Sequence, residues 1–255
     1  MRTSNPVLSD SAIDRVVDEL EVPDDTRSLT ERFTIIGVIQ RSVLLIGLVV
    51  VGGWVGWNMV TVDEGVVTGF PTWIMPAALG LIALAFLTFF RPQLAPVTAP
   101  IWAVGEGVLV GAISRVYEVE FDGIVLQAFM ATVLTAFATL AAYRSGRIRA
   151  TPQFRKIVII ATMGVMALYL VNLGIALFGG GGIGLITDSG PIGIAFSLFV
   201  VGLAAMNLVL DFDLIERGEA EAWPAKMMWF AAFALVVTLV WLYLELLRLL
   251  AKLRD

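Results

Sequence analysis

The chain contains neither cysteine nor histidine, and only 15% of its 255 residues are charged. Without cysteine it can form neither a disulfide nor a thiolate metal site. Without histidine it lacks the side chain that most often titrates near neutral pH, binds zinc or acts as the base of a nucleophilic triad. Any proton sensing by this protein must therefore use carboxylates.

The scarcity of charge accompanies a hydrophobic content of 58% and a mean hydropathy of +0.88. Soluble domains carry about 25% charged residues, so the composition is that of a membrane protein. Seven apolar stretches each approach the ~20 residues that a helix needs to cross the hydrocarbon layer. They are Ser42–Val60, Thr72–Phe90, Val97–Tyr117, Gly123–Tyr143, Ile157–Phe178, Gly190–Leu210 and Lys226–Lys252. Because lipid cannot satisfy backbone polar groups, the stretches are predicted to be helices, which makes the fold all-α.

The predicted organisation is a short polar segment followed by one membrane domain. Residues 1–41 are acidic and are expected to lie in the cytosol, with a short amphipathic helix over Ser11–Leu20 as an alternative to a solvated tail. Residues 42–255 form the transmembrane domain and leave no room for a separate catalytic domain. We expect a monomer in the bilayer, with no nucleic-acid partner.

The distribution of Lys and Arg predicts the topology, because these residues mark the cytoplasmic side of short loops. The segment Arg144–Lys156 carries five bases and no acid, whereas the loop containing Glu118 and Asp122 and the loop after the first span have no base. The protein is therefore expected in the inner (plasma) membrane with its N-terminus cytoplasmic. Seven spans would put the C-terminus outside, although Arg248 and Lys252 at that end run against the rule.

Glu106 lies near the middle of the third span, between Gly105 and Gly107. A charged side chain at that depth costs about 2.5–3.5 kcal/mol on insertion scales, so Glu106 is expected to face the bundle or a water-filled cavity. The flanking glycines permit close approach of a neighbouring helix. In the alternative interpretation, neutral Glu106 hydrogen-bonds another helix and has only a packing role.

A second polar group occurs where the sixth span is expected to meet the cytoplasm. Asp211 shares a helix face with Asn207, and Asp213 shares a face with Glu216, so one aspartate should face the bundle and the other solvent. Calcium takes six to eight oxygen ligands, so this segment alone predicts only a weak site formed by Asp211 and Asp213. The alternative is an acidic stretch at a helix end with no ligand.

Further polar residues accompany these carboxylates. Glu245 and Arg248 in the seventh span are three residues apart and can pair. Arg91 and Arg115 close the second and third spans, where each is a candidate basic latch. Tyr169 and Asn172 in the fifth span add polar groups to the predicted interior.

Several motifs resemble the Bax inhibitor-1 family of membrane proteins. They are Glu-Gly-Val-Leu-Val-Gly at 106–111, Leu-Asp-Phe-Asp-Leu-Ile at 210–215 and Leu-Tyr-Leu-Glu at 242–245, and the opening residues and the basic loop ending at Arg155 are similar to its bacterial, actinobacterial-type branch. The resemblance implies six helices around a central, C-terminal seventh. It also implies a pH-sensitive calcium leak, in which acidic residues of spans six and seven share a proton and a basic residue of span two latches them.

Asp211 matches the family's acidic position in span six, but its partner in span seven has two candidates. The similarity of the motif at 242–245 to the family's motif makes Glu245 the counterpart. Glu245, however, lies about 20 residues into the span, or ~30 Å from the cytoplasmic end. If the chain is aligned on Leu247 and Arg248 instead, Thr238 occupies the family's acidic position in span seven. Asp213 or Glu106 would then share proton sensing with Asp211.

The predicted function is a pH-sensitive, calcium-permeable leak gated by membrane carboxylates, with calcium ions and protons as its ligands and no cofactor. The alternative is a non-conducting regulator that binds a membrane protease or quality-control complex through its acidic N-terminal segment. An intramembrane enzyme is not expected. An intramembrane serine protease requires a histidine base, which the chain lacks. A two-aspartate protease requires aspartates deep in two spans, and here they are expected only near the interface.

Overall fold

The computed structural model describes residues 32–177 and 183–255, which are almost entirely helical. The helices are α1 (Ile35–Met59), α2 (Ile74–Phe90), α3 (Ala95–Glu120), α4 (Ile124–Arg144), α5 (Pro152–Leu177), α6 (Gly184–Thr187), α7 (Pro191–Ala220) and α8 (Met227–Arg254), with a 3-10 turn at Pro92–Leu94. The predicted helix over Ser11–Leu20, most of the segment 1–41 and part of the glycine-rich loop after the fifth span lie outside the described residues.

Every predicted span coincides with an apolar helix. Among the described residues, six helices are long and apolar enough to cross a membrane, and α2 is a shorter apolar helix of 17 residues. The chain is therefore an all-α, multi-pass membrane protein, as its composition predicted. α1 begins at Ile35, seven residues before the predicted span, because the Thr34 side chain caps the helix by accepting a hydrogen bond from the Gly37 N–H at 3.0 Å.

A small β-hairpin between α1 and α2 was not predicted. Its strands are β1 (Thr61–Asp63) and β2 (Val66–Gly69), which pair antiparallel with Val62 opposite Val67. Glu64 and Gly65, at the turn, both have positive φ angles of 47° and 79°. That turn suits the twist of a hairpin, and the β-branched residues on either side favour strands.

The sixth span continues as a helix for ten residues beyond the predicted end at Leu210. α7 runs to Ala220, and Leu214 and Ile215 in its last part are buried. Asp211 and Asp213 thus lie within a continuous helix, more than a turn before its end. The prediction ended the helix at the first charged residues, whereas tertiary burial of the next apolar residues keeps it intact.

The described residues divide into two compact units. The first unit comprises residues 32–119 and Asp211–Val237, and the second comprises the described part of Glu120–Leu210 together with Thr238–Asp255. α7 and α8 each contribute to both units.

In the first unit, α1 and α3 approach each other closely enough for their backbones to touch. A β-carbon at Gly52 or Gly56 of α1 would clash with carbonyl oxygens of α3, and one at Gly107 or Gly111 would clash with carbonyls of α1. Close contact through small residues is a common way for membrane helices to associate. The predicted close approach beside Glu106 is confirmed.

Aromatic side chains fill another part of the first unit. The Phe233 ring lies 5.0 Å from that of Trp102 and 5.3 Å from that of Phe89, centroid to centroid, and Phe89 also packs edge-on against Phe230. Such tilted and edge-to-face contacts are favourable arrangements of aromatic pairs. This cluster joins α2, α3 and the beginning of α8.

The second unit has an aliphatic core between α5 and α7. Val158 and Val165 of α5 pack with Val200 and Leu203 of α7, and the partly buried Tyr169 lies against this cluster. The Tyr169 ring therefore lies between this aliphatic cluster and Arg248, whose guanidinium carbon is 5.1 Å from the ring centroid, and its hydroxyl reaches the polar groups of α8 described below.

Candidate functional sites in the two units

Asp211 and Asp213 have different surroundings in the first unit. The Oδ2 atom of Asp213 accepts a hydrogen bond from Arg217 Nε at 3.1 Å, an ion pair one helical turn apart. Asp211 is partly buried, and its Oδ2 atom is shielded from solvent. Neither aspartate is fully exposed, so the simple division into one bundle-facing and one solvent-facing side chain does not describe them.

Glu106 is partly buried in α3, beside the contact between α1 and α3. Within the described part of the chain no hydrogen bond is made by its carboxylate. The preceding residue, Gly105, faces Leu81 of α2, and an apolar depression of about 300 Å³ lies there, lined by residues that include Trp73, Leu84 and Val108.

Three arginines of the first unit lie in different environments. Arg91 is exposed after α2, and Arg115 stacks on the Trp57 ring with its guanidinium carbon 4.9 Å from the ring centroid. Among the described residues neither forms an ion pair with a carboxylate. Arg41 is half-buried, donates from Nη1 to the Gly37 carbonyl at 2.9 Å and lies 5.4 Å from the Trp229 centroid.

Glu245 is the centre of a polar network in the second unit. The Arg248 Nη1 atom donates to Glu245 Oε1 at 2.7 Å and to the Tyr169 hydroxyl at 2.9 Å, and that hydroxyl donates to Glu245 Oε1 at 2.8 Å. Glu245 is only 1% exposed, and its Oε2 atom has no hydrogen-bond partner among the described residues. A buried carboxylate at membrane depth is a functional candidate because burial is costly.

Asn207 and Thr238, the remaining predicted residues, also lie inside the second unit. Asn207 Nδ2 donates to Thr162 Oγ1 at 2.8 Å and to the Leu203 carbonyl at 2.9 Å, so it joins α7 to α5. Thr238 is buried, at 8% exposure. Asn172, predicted to line the interior, accepts from the Ile183 N–H at 2.7 Å instead and anchors the chain before α6.

The basic residues at the end of α8 have specific partners in the second unit. Lys252 is buried and donates to the Gly193 carbonyl at 3.1 Å. Arg254 donates to the Asp122 carbonyl at 2.9 Å and to Gln127 Oε1 at 2.8 Å. The end of α8 therefore lies on the same side as the connection before α4, which the topology prediction places outside. Under that predicted topology these two cations would run against the positive-inside rule, and the hydrogen bonds supply them with partners.

Comparison with known proteins identifies the family. A family model described as Bax inhibitor 1 like matches residues 5–255, nearly the whole chain. The chain belongs to the Bax inhibitor 1 family. It is a family of membrane regulators and channels and is not a known enzyme family. No curated protein and no solved structure matched this chain.

The predicted pairing of Glu245 with Arg248 is confirmed, and Tyr169 is a member of the same network. Neither proposed latch, Arg91 or Arg115, is paired with a described carboxylate. Arg41 was not selected from the sequence, although its position at the start of an apolar run is the signal that could have identified it. The described residues contain no group of three or more His, Cys, Asp or Glu side chains that could hold a metal ion, and the weak calcium site at Asp211 and Asp213 stays a prediction.

Proposed function

We propose that this Bax inhibitor 1 family member is a pH-sensitive, calcium-permeable leak channel gated by membrane carboxylates. The observation that carries the proposal is the placement of Glu106, Asp211 and Glu245 within long apolar helices, where none of them is fully exposed. Ionisable side chains at such positions are costly, and they mark ion or proton pathways in membrane proteins.

The chemistry of a buried carboxylate provides the gate. In its ionised form it attracts a cation, and its protonation removes that attraction together with any ion pair that it makes. Calcium held by one or two carboxylates keeps most of its ligands as water, which permits weak binding and release along a path. The absence of a larger acidic cluster among the described residues suits a leak better than a storage site.

Within this proposal Asp211 is the principal proton-sensitive residue. Asp213 is already paired with Arg217, and Thr238 would occupy the position at which the family resemblance expects the second acid. Glu106, in the same unit as Asp211, and Glu245, in the second unit, are the other membrane carboxylates that the proposal considers. We assign the latch to Arg41 in preference to Arg91, because Arg41 is half-buried in the unit that holds Asp211, whereas Arg91 is exposed.

The test is calcium flux into dye-loaded proteoliposomes at pH 6, 7 and 8. The native chain should show a flux that depends on pH, and Asp211→Asn should shift or abolish that dependence. Asp63→Asn is a matched control, because Asp63 is an exposed acid in the β-hairpin and the same substitution there should leave the flux unchanged.

The outcomes separate the parts of the proposal. A calcium flux that changes neither with pH nor with Asp211→Asn would show that Asp211 is not the gate. The flux of Glu106→Gln would then be compared with that of Glu245→Gln. No flux at any pH, from protein shown to be folded and correctly inserted, would contradict the channel.

The second candidate is a non-conducting regulator that binds a membrane protease or quality-control complex. The observation that favours it is the firm attachment of the chain just after the acidic segment 1–31. Phe33 is buried against Gly218 and Trp223, and its N–H donates to the Trp223 carbonyl at 2.9 Å. These contacts fix the position of Phe33, and in the regulator the acidic residues that precede it in the sequence would supply the contact with the partner.

Co-purification decides this alternative. A partner captured by the full chain should be lost when residues 1–31 are deleted and retained when the substitution Asp211→Asn is made. Purification of the native chain without a partner, together with calcium flux, would reject the regulator in favour of the leak.

A further inference from the structure

The connection between α4 and α5 is a compact basic surface, which we call the basic turn (residues 144–156). Arg144, Arg147, Arg149 and Lys156 are all exposed, and Arg155 is partly buried. Among the described residues no carboxylate pairs with any of the four exposed cations. This surface has no part in the proposed ion pathway.

The backbone of the basic turn is well ordered by local hydrogen bonds. Gly146 has a φ of 72° and donates its N–H to the Tyr143 carbonyl at 2.9 Å, which ends α4. Thr151 caps α5 by accepting from the Phe154 N–H at 3.2 Å. The cations are therefore displayed on a short, fixed turn.

The position of the turn sets its distance from lipid. α4 and α5 are both apolar helices long enough to cross the membrane, and only seven residues, 145–151, separate them. Whichever side of the membrane the turn faces, its cations must lie within about a Debye length, ~8–10 Å, of the headgroups. Cations at that distance are attracted to anionic lipids and to no comparable extent to neutral ones.

Ile148 distinguishes a lipid partner from a soluble anion. It is 36% exposed in the centre of the turn, between Arg147 and Arg149. An exposed apolar side chain flanked by cations is suited to the boundary of headgroups and acyl chains, where the cations meet phosphate and the side chain leaves water. A free phosphate ion would gain nothing from Ile148.

We propose that the basic turn is a docking surface for the headgroups of anionic phospholipids, with Ile148 inserted among them. The cations supply the preference for anionic over zwitterionic headgroups, and Ile148 adds affinity that is independent of headgroup charge. The proposal is separate from the calcium leak, because it requires no flux and uses none of the carboxylates assigned to the path.

The test is lipid binding by the full chain, purified in a neutral detergent and titrated with phosphatidylglycerol or phosphatidylcholine under native mass spectrometry. The native chain should prefer phosphatidylglycerol. The triple variant Arg144→Gln/Arg147→Gln/Arg149→Gln should lose about a hundredfold of that affinity, since each of the three cations near an anionic surface is worth about fivefold. Ile148→Ser should weaken binding of both lipids while retaining the preference.

Two further variants keep the result interpretable. Arg91→Gln/Lys226→Gln removes two exposed cations that are not clustered in the basic turn and should lower the preference far less than the triple variant does. Replacing the three arginines by lysine should restore the preference that glutamine removes, which excludes a folding defect as its cause.

Three outcomes would overturn the proposal. Equal phosphatidylglycerol binding by the native chain and the triple glutamine variant would show that the basic turn is not the site. Displacement of the lipid by inorganic phosphate at equal concentration would show a general anion site. Displacement by a synthetic peptide of residues 1–31 at equal concentration would assign the turn to the chain's own acidic segment.

Discussion

At the scale of single residues, the network of Glu245, Tyr169 and Arg248 shows how the protein accommodates a charge inside an apolar helix. Glu245 Oε1 accepts hydrogen bonds from both Tyr169 and Arg248. The other oxygen, Oε2, has no hydrogen-bond partner among the described residues. Removing one partner of a buried ion pair is more costly than removing both, because the remaining charge stays buried.

Arg248→Gln should therefore destabilise the protein, by about 3 kcal/mol, because the buried Glu245 side chain would lose its cationic partner. The double variant Glu245→Gln/Arg248→Gln should recover a large part of that loss. The measurement is the free energy of unfolding in mixed micelles titrated with a denaturing detergent. Arg144→Gln, on the exposed turn, should change this free energy by less than about 0.5 kcal/mol. A double variant no more stable than Arg248→Gln would contradict the account.

At the scale of elements, backbone contact between α1 and α3 is the closest helix–helix approach described above. Gly53 of α1 and Gly111 of α3 meet with no room for a β-carbon. Glycine is unfavourable in a helix interior by about 1 kcal/mol relative to alanine, so its presence here is explained by packing and not by helix propensity.

Gly111→Ala should destabilise the fold by about 1–3 kcal/mol, since the added methyl group forces the two backbones apart. Gly47→Ala is the matched control, because a β-carbon at that position of α1 meets nothing within 4 Å. That control should be neutral or slightly stabilising. Thermal unfolding in detergent measures both, and equal melting temperatures for the two variants would show that α1 and α3 are not so closely packed.

The attachment of the chain before α1 is a second feature of this scale. Phe33 is 2% exposed, its ring packs edge-on against Trp223 at 5.9 Å, and the Ile35 N–H donates to Glu219 Oε1 at 2.9 Å. These contacts tie the start of α1 to the connection between α7 and α8.

Phe33→Ala should cost about 3–5 kcal/mol, the usual range for deleting a buried aromatic ring. Phe90→Ala provides the comparison, because Phe90 is 61% exposed and the same truncation there should cost far less. Limited proteolysis offers a local readout: cleavage near residue 33 should become faster in Phe33→Ala alone. An unchanged cleavage rate would argue that Phe33 does not hold this segment.

At the scale of the whole molecule, α8 is the helix that extends from the contacts near Phe33 to the last residues of the chain. Its beginning lies close to Phe33 through Trp223, and its 28 residues are about 42 Å long, enough to cross the membrane. α8 is also the most buried of the six long apolar helices, with 61% of its apolar window buried. The central position of this helix and the ring of six helices around it stay predictions.

The cysteine-free sequence permits a direct test of topology with single introduced cysteines. Asp63→Cys and Ser145→Cys lie at exposed positions in the β-hairpin and the basic turn. In intact cells a membrane-impermeant maleimide should label Asp63→Cys, whereas Ser145→Cys should react only after permeabilisation. Asp255→Cys, at the end of α8, should behave like Asp63→Cys. The reverse pattern for the first two would invert the topology without altering the fold.

Composition and the lengths of the apolar stretches alone determined the membrane class and the apolar helices, and the same reasoning selected the candidate carboxylates, which stay predictions. The reason is that lipid imposes its length and hydrogen-bonding requirements on each segment separately. The β-hairpin was not predicted from the sequence, because its strands are only three and four residues long. The end of α7 was not predicted, because a span defined by local hydrophobicity ends where the first charged residues occur.

Only the tertiary structure decided which polar groups meet. Tyr169 and Glu245 are 76 positions apart in the chain, and no local pattern encodes their hydrogen bond. The burial of Lys252, the position of Arg41 beside Trp229 and the backbone contact at Gly111 likewise depend on how helices pack. Each helix must satisfy its own backbone in lipid, but a buried side chain can be satisfied only by a neighbour that the fold brings to it.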